Sequence, residues 1–303
     1  MLVLRNYKYF FSLLPGIVVI SGNLTGGWWG LSNLVFSLVI LAAVEWFFPE
    51  DKTNEVDPSA LIPDFILVLH VVMQTAALFT LFYAIYTNRF TTAQLIFAAI
   101  STGVQSGSGA IVVAHELIHR KPLRWQWMGK YLLFTAGNIY FFVEHLRVHH
   151  KYVGTGSDPA TAKYNESLYS FFFRTTRQQI GGAWNLEADR LRKSGKPVWH
   201  FSNYVLASLV LLLLASLMLW YFIGWAAVAA FMVQAFIANF LLEYTNYIEH
   251  YGLSRSENQR VSEIHSWQSD KVISRFFLID LSRDRKSTRL NSSHTVISYA
   301  VFC

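Results

Sequence analysis

Six of the ten histidines lie in three short segments, each at or just beyond the end of a long apolar stretch. The segments are HELIHR at 115–120, EHLRVHH at 144–150 and NYIEHYG at 246–252. The first two contain histidine pairs four residues apart, and side chains with that spacing project from the same side of a helix. Neutral imidazole binds iron or zinc well but binds calcium and magnesium poorly. The pattern therefore predicts a transition-metal site held by histidine.

The second segment carries three histidines within six residues, and each imidazole would need hydrogen-bond partners once it is buried. Glu144 in that segment could orient a metal-binding imidazole or pair with Arg147. A lone histidine such as His250 gains significance only from the other two segments. His70, within an apolar stretch, and His265, in the sequence HSW, have either a structural or a functional role.

The composition predicts an all-α integral membrane protein with about six transmembrane helices. Hydrophobic residues make up 53% of the 303-residue chain and charged residues only 15%, whereas soluble domains carry about 25% charge. Six apolar stretches could cross a hydrocarbon core of about 30 Å. They are 9–22, 28–48, 61–86, 92–114, 203–222 and 225–245. A further stretch, 131–143, is too short to cross and is expected to dip into the interface.

The distribution of basic residues predicts the orientation. With six spans and the N-terminus inside, 24 of the 25 Lys and Arg residues lie on the inner side, and only Arg89 lies outside. Short segments rich in Lys and Arg remain cytoplasmic, so the three histidine segments are expected at the cytoplasmic face of the membrane. The net charge of +6 then reflects orientation and contact with lipid headgroups, and no nucleic-acid partner is expected.

The cysteine count limits the redox chemistry of the chain. Cys303 is the single cysteine, which excludes both an internal disulfide and an iron–sulfur centre that needs four thiolates. Electrons for a redox reaction would therefore have to come from another protein.

Two alternatives to an oxygen-activating metal enzyme remain open at this stage. The sequence HELIH also fits the HExxH pattern of zinc proteases, in which His115 and His119 bind zinc and Glu116 is the general base. That hypothesis leaves the other two segments unexplained. A metal transporter would need polar ligands along a path across the membrane, whereas most of these histidines lie at one face.

Small side chains are expected to make the helix of the fourth apolar stretch narrow. Gly103, Gly107 and Gly109 alternate there with Ser106 and Ser108. Close packing of helices is the favoured interpretation. The alternative is a space into which a slender apolar chain could slide.

Together the motifs resemble the integral-membrane alkane hydroxylases, within the wider superfamily of histidine-box desaturases and hydroxylases. The similarity rests on HELIHR, on EHLRVHH with the following KYVGTGSDPATA, and on NYIEHYGL with the later HSW. It extends from the first span to about Arg283. The third segment distinguishes alkane hydroxylases from fatty-acid desaturases, while xylene-type and fatty-acid hydroxylases are close relatives.

The resemblance implies a di-iron centre and O2-dependent hydroxylation of the terminal carbon of an alkane or similar hydrocarbon. Electrons would come from rubredoxin and its NAD(P)H-dependent reductase, and the substrate would arrive from the lipid. No catalytic side chain is expected beyond the metal ligands. By motif position, the implied iron ligands are His115, His119, His145, His149, His150 and His250.

The chain departs from this family near its end. The family carries a final segment of the form R-H-x-D-H-H, which supplies three more ligands, whereas IDLSR at 279–283 is followed by none of them. We therefore expect residues 1–283 to be a hydroxylase domain without its final histidine segment, and residues 284–303 to be an unrelated tail. Metal affinity and activity should fall severely as a result, and His294 inherits no role.

Overall fold

The computed structural model describes residues 3–52 and 61–281. Helices dominate this part of the chain, and its only β-type pairing is an isolated antiparallel bridge between Glu50 and Lys271. The expected domain boundary after Arg283, the tail at 284–303 and His294 lie outside the described residues.

We number ten helices within the described residues, and two short 3-10 helices accompany them. The first 3-10 helix, Val3–Leu13, leads directly into α1, and the second, Glu263–His265, precedes α10. The helices are α1 (Leu14–Thr25), α2 (Gly27–Phe47), α3 (Leu61–Tyr86), α4 (Thr92–Ile118), α5 (Leu123–Thr135), α6 (141–152), α7 (Leu168–Lys193), α8 (Tyr204–Phe222), α9 (Trp225–His250) and α10 (Val272–Phe277).

Five of these helices are long and apolar enough to cross a membrane, namely α2, α3, α4, α8 and α9. They match five of the six predicted spans and confirm an all-α membrane protein. The first predicted span, 9–22, falls on the end of the 3-10 helix and on α1, which has only 12 residues. The five long helices do not include it.

The short helix α1 nevertheless runs beside α3 and in the same direction. Just before α1, Ser12 Oγ lies 2.8 Å from His70 Nε2 of α3, and further along both helices Asn23 donates a hydrogen bond to the Ala77 carbonyl at 3.3 Å. Helix α4 runs the opposite way, because Arg120 at its end pairs with Asp64 at the start of α3. The start of α1 and the end of α4 therefore lie at the same end of the bundle.

Helix α5 enters the bundle and stops partway. Its last carbonyl, of Thr135, accepts a hydrogen bond from Gln234 at 3.0 Å, and the Ala136 carbonyl accepts one from Asn239 at 2.9 Å. Both donors lie near the middle of α9. Backbone carbonyl and N–H groups outside regular helices need hydrogen-bond partners of this kind when they lie at membrane depth. The apolar stretch 131–143 thus turns back inside the bundle and leads into α6, deeper than the predicted interfacial dip.

Small residues allow α4 and α9 to approach closely. A Cβ atom added at Gly103 would lie 2.7 Å from Ile237 Cβ, and one at Gly107 would lie 3.0 Å from Leu241 Cδ1. Both glycines therefore act in helix packing, the favoured interpretation. Gly109 differs, because it faces the side chain of Gln105 within α4.

Candidate metal centre

The first two histidine segments meet at one end of the bundle. Helix α4 delivers His115 and His119, and α6 delivers three further imidazoles. The turn His145–His149 within α6 is a π-helix, in which hydrogen bonds close between residues five apart. The ring of His150 lies against that of His145, with centroids 4.4 Å apart, and the ring of His149 stacks against His145 at 5.3 Å. His145 and His149 are therefore neighbours, as their spacing predicted, and His150 adds a third imidazole.

Four imidazoles form a compact group, which we call the four-histidine group. Each offers a ring nitrogen, and these nitrogens all lie within 4.8 Å of one another. The group consists of His115, His119, His145 and His150.

Three nitrogens of the four-histidine group form a triangle that protons alone cannot satisfy. The Nε2 atoms of His119, His145 and His150 lie 3.0 to 3.1 Å apart in all three pairs. A hydrogen bond needs one donor and one acceptor, and each Nε2 of a neutral ring is one or the other. At least one of the three pairs must therefore place a donor against a donor or an acceptor against an acceptor. A cation at the centre would satisfy all three lone pairs, so the donor set fits a metal ion.

The surroundings of His145 favour its neutral form. Burial lowers the pKa of His145 well below its usual value, and the neighbouring imidazoles of His115, His150, His149 and His119 lower it further. Neutral imidazole is the form that binds a metal. The lowered pKa of His145 and the convergence of the ring nitrogens both favour metal binding.

The remaining two predicted ligands form a separate pair beside this group. The ring centroids of His149 and His250 lie 5.0 Å apart, although one ring comes from α6 and the other from the end of α9. The structure thus brings all six histidines to one place, divided into four and two.

Hydrogen bonds fix which nitrogen of each paired ring faces the centre. His149 Nδ1 lies 3.1 Å from Asp158 Oδ2, and His250 Nδ1 lies 3.2 Å from the carbonyl of His265. An oxygen acceptor at Nδ1 requires a proton there, which leaves Nε2 as the lone-pair nitrogen. His250 Nε2 is buried and has no hydrogen-bond partner among the described residues.

Asp158 is held by the loop that follows α6. Its carboxylate accepts hydrogen bonds from the Thr161 hydroxyl at 2.7 Å and from the Ala160 backbone N–H at 3.1 Å. Burial raises the pKa of Asp158, but His149 and these hydrogen bonds outweigh burial, so the net pKa lies below its usual value. Asp158 lies in the motif KYVGTGSDPATA, from which no role for this residue is predicted.

Glu144, adjacent to His145, is buried against α7. One carboxylate oxygen, Oε1, has no hydrogen-bond partner among the described residues, and a Cβ at Gly182 would lie only 2.0 Å from it. Burial and the nearby Asp158 raise the pKa of Glu144 to about 7, although His149 opposes the shift. Arg147 pairs with Glu187 of α7 at 3.3 Å, so the pairing with Glu144 considered from the sequence is replaced by this one.

Two further carboxylates support the centre and were not singled out from the sequence. Glu187 accepts hydrogen bonds from Arg147, from Arg190 and from the backbone N–H of Tyr204, and so joins α6 to α7 and α8. Glu243 is fully buried in α9, two turns before His250, and accepts a hydrogen bond from Gln179 at 2.9 Å. Its position seven residues before His250 places both residues on the same side of a helix, and this spacing is the sequence feature that could have indicated its role.

The other described histidines lie outside this centre. His265 Nδ1 accepts a hydrogen bond from the Ser262 backbone N–H at 3.0 Å, so its proton is on Nε2 and its role is structural, through its carbonyl to His250. His200 Nδ1 accepts from the Ser202 backbone N–H. His70 is buried between α1 and α3 beside Ser12.

The protease hypothesis finds little support in this geometry. Glu116 pairs with Arg120 on its own helix at 3.4 Å, and Arg120 also binds Asp64. His145 and His150 occupy the space beside His115 and His119, where a protease would need an open position for water.

Comparison with known proteins adds independent information. The family model described as fatty acid desaturase matches residues 90–283. Alkane 1-monooxygenase 2 of Alcanivorax borkumensis is 32% identical, over 93% of this chain and 79% of its own length. Alkane 1-monooxygenase 1 of Pseudomonas aeruginosa is 40% identical over 61% of this chain and 50% of its own. The xylene/toluene monooxygenase hydroxylase component XylM of Pseudomonas putida is 31% identical over 54% of this chain and 44% of its own.

Proposed function

This chain belongs to the alkane 1-monooxygenase family, and we propose that it is a membrane hydroxylase acting on the terminal carbon of alkanes or similar hydrocarbons. The overall reaction would consume O2, two electrons and two protons, and would yield an alcohol and water. The single observation that carries the proposal is the convergence of six imidazoles from three distant segments at one end of the bundle.

The proposed cofactor is a pair of iron ions, with O2 as co-substrate. The four-histidine group would hold one ion, and His149 with His250 would contribute to the second. Iron bound by neutral imidazoles supplies the activation of O2 and the removal of hydrogen from an unreactive C–H bond.

The contribution of the chain itself is orientation and exclusion of water. Asp158 and the His265 carbonyl hold the two paired rings by their Nδ1 atoms. Phe141 lies flat against His145, with ring centroids 4.5 Å apart, and covers one side of the four-histidine group. An alkane offers no polar group to hold, so its placement must come from apolar surface between the helices.

The proposed partners follow from what the chain lacks and from its family. With Cys303 as its single cysteine, the chain has no thiolate-bound electron relay of its own. We propose a rubredoxin-type donor with an NAD(P)H-dependent reductase, which would dock at the cytoplasmic face of the bacterial plasma membrane where the basic residues predict the centre to lie. Residues 1–283 would form the hydroxylase domain, and 284–303 a tail unrelated to it.

The test is oxidation of a hydrocarbon by membranes that contain the chain, rubredoxin and its reductase under 18O2. Because the final histidine segment of the family is not found in this sequence, the assay uses both this chain and a version in which that segment replaces residues 284–303. The version with the segment should convert octane to 18O-labelled 1-octanol, and His145→Ala should abolish the product. Formation of labelled methylbenzyl alcohol from xylene alone would favour the aromatic relatives instead. Stoichiometric zinc with no labelled product from either substrate would contradict the proposal.

A further inference from the structure

Three buried side chains with unpartnered polar atoms lie on α1, α3 and α4, one on each of these helices of the membrane-spanning bundle. They belong to Asn23, His70 and Gln105, each at most 1% exposed. Asn23 Oδ1, His70 Nδ1 and both polar atoms of the Gln105 amide have no hydrogen-bond partner among the described residues. An unsatisfied buried polar group is costly, and most costly where lipid replaces water.

The Gln105 amide lies in a space that two glycines provide. Gln105 Nε2 would be 2.6 Å from a Cβ added at Gly109 of α4 and 3.4 Å from one added at Gly16 of α1. A Cβ at Gly16 would also lie 2.8 Å from Met73 Cε of α3. The turn that follows Gln105, Ser106–Ile111, is a π-helix, a feature that often marks functional sites.

The proton on His70 can be assigned from its neighbours. The Ser12 hydroxyl lies 2.6 Å from the Tyr9 carbonyl and 2.8 Å from His70 Nε2. A hydroxyl has one hydrogen, which the carbonyl requires, so His70 Nε2 must donate to Ser12. His70 Nδ1 is then a bare acceptor. The junction thus offers a free amide N–H group and several free acceptors.

The neighbouring glutamine provides a contrast. Gln74 is one turn from His70 on α3 and is just as deeply buried, yet its Nε2 donates to Ser106 Oγ at 2.9 Å. Ser106 in turn donates to Gln234 at 2.8 Å. Polar side chains at this depth are satisfied where the protein supplies partners, and the Gln105 amide takes no part in that chain of hydrogen bonds.

We propose that the junction of α1, α3 and α4 is a binding site for a neutral hydroxyl group, held by the Gln105 amide. A hydroxyl both donates and accepts, which matches the unpartnered oxygen and N–H group of that amide. A pure hydrocarbon would leave all of these atoms unsatisfied. Gln105 precedes His115 by ten residues, or about 15 Å along a helix, so this site is separate from the metal centre.

The hydroxyl group could belong to water or to a long-chain alcohol. Ordered water is a common partner of buried polar groups. The alcohol source rests on the proposed function, since hydroxylation would release an alkanol within the same bundle. The site itself does not rest on that function, and its test reads neither metal content nor activity.

The first arm of the test detects water at the site. X-ray radiolysis of the purified chain in lipid nanodiscs, followed by mass spectrometry, should oxidise Met73 through radicals formed from bound water. Gln105→Leu should lower the Met73 oxidation rate at least threefold. Met232, which is 60% exposed on α9, serves as the internal control, and its oxidation rate should not change.

The second arm detects an alcohol. Melting temperatures are measured with 1-decanol and with decane, which differ by one hydroxyl group. Decanol should raise the melting temperature of the wild-type chain by about 2 °C or more above the effect of decane, and Gln105→Leu should abolish that difference while Gln74→Leu retains it. A positive result in either arm supports the site and names its source. Equal Met73 oxidation in both chains, together with equal effects of decanol and decane, would overturn the proposal.

Discussion

Single hydrogen bonds decide which nitrogen each paired imidazole presents. His149 donates from Nδ1 to Asp158, and His250 donates from Nδ1 to a backbone carbonyl. The first restraint depends on a side chain and the second does not, so only the first can be removed by a conservative substitution.

Replacing Asp158 by Asn should weaken metal binding at the His149 and His250 pair by about ten- to a hundredfold, the usual effect of losing a carboxylate behind a metal-binding histidine. The reason is that an amide no longer fixes the His149 proton on Nδ1. Iron titration of the purified chain carrying the family's final segment measures the effect. Asp189→Asn, which removes only an exposed pairing with Arg192, is the matched control. Equal affinities in the two variants would contradict the role assigned to Asp158.

At this scale the sequence indicated the six histidines but not their division into four and two. The division depends on the π-helical turn at His145–His149, and neither α-helical spacing nor composition reveals an extra residue in a turn. Asp158 lies in a loop, and the sequence of a loop carries little information about where its side chains point. His265 shows the same limit, because it acts through its backbone carbonyl.

Among the helices, α7 holds α6 in place at two points. Glu187 binds Arg147 between the histidines of α6, and Gly182 leaves room for the buried Glu144 carboxylate. Each contact yields a prediction for an element that carries no metal ligand.

Replacing Glu187 by Gln should lower the free energy of unfolding by about 2 kcal/mol, the size of hydrogen bonds to a charged group. Burial raises the pKa of Glu187, but hydrogen bonds from Arg190 and the Tyr204 backbone outweigh it, so the folded-state pKa is below the usual value. The stabilisation is therefore present above the unfolded-state pKa of about 4.3 and is lost as the pH falls through the lower folded-state pKa. Melting temperatures of the two chains should differ at pH 7 and converge as the pH falls through the folded-state pKa. A constant difference over this range would show that the charge is not responsible.

Adjacent glycines in α7 give a matched pair of variants. Gly182→Ala places a methyl group 2.0 Å from Glu144 Oε1, whereas an added Cβ at Gly181 meets nothing within 4 Å. The first should destabilise the chain by about 1–3 kcal/mol and weaken metal binding beside His145. The second should be neutral or stabilising by up to about 1 kcal/mol, since alanine favours helix. Thermal unfolding and iron titration of both variants measure this, and similar behaviour of the two would contradict the assigned contact.

Hydropathy located the long helices well because length and apolar composition are the properties that a membrane selects. It was less successful for α1, which has 12 residues, and for α5, which turns back inside the bundle. Both depend on partners distant in sequence, such as Asn239 for the end of α5. A sliding window along one chain does not detect such partners.

In the whole molecule, the direction of the helices explains why one centre can form. The ends of α4 and α9 and the starts of α1 and α3 lie together, so segments more than a hundred residues apart meet at one end. The resemblance to alkane hydroxylases implied this convergence, and the family assignment agrees with it. The side of the membrane on which the centre lies, predicted from the basic residues, stays a prediction.

The most direct test of this centre is the iron content of the purified chain after anaerobic loading with Fe(II) and removal of weakly bound metal. The four-histidine group should retain about one iron per chain, His145→Ala should lose it, and His250→Ala should keep it, since His250 belongs to the separate pair. Loss of iron in both variants alike, or retention of iron in His145→Ala, would contradict the division of the six histidines into a group of four and a pair.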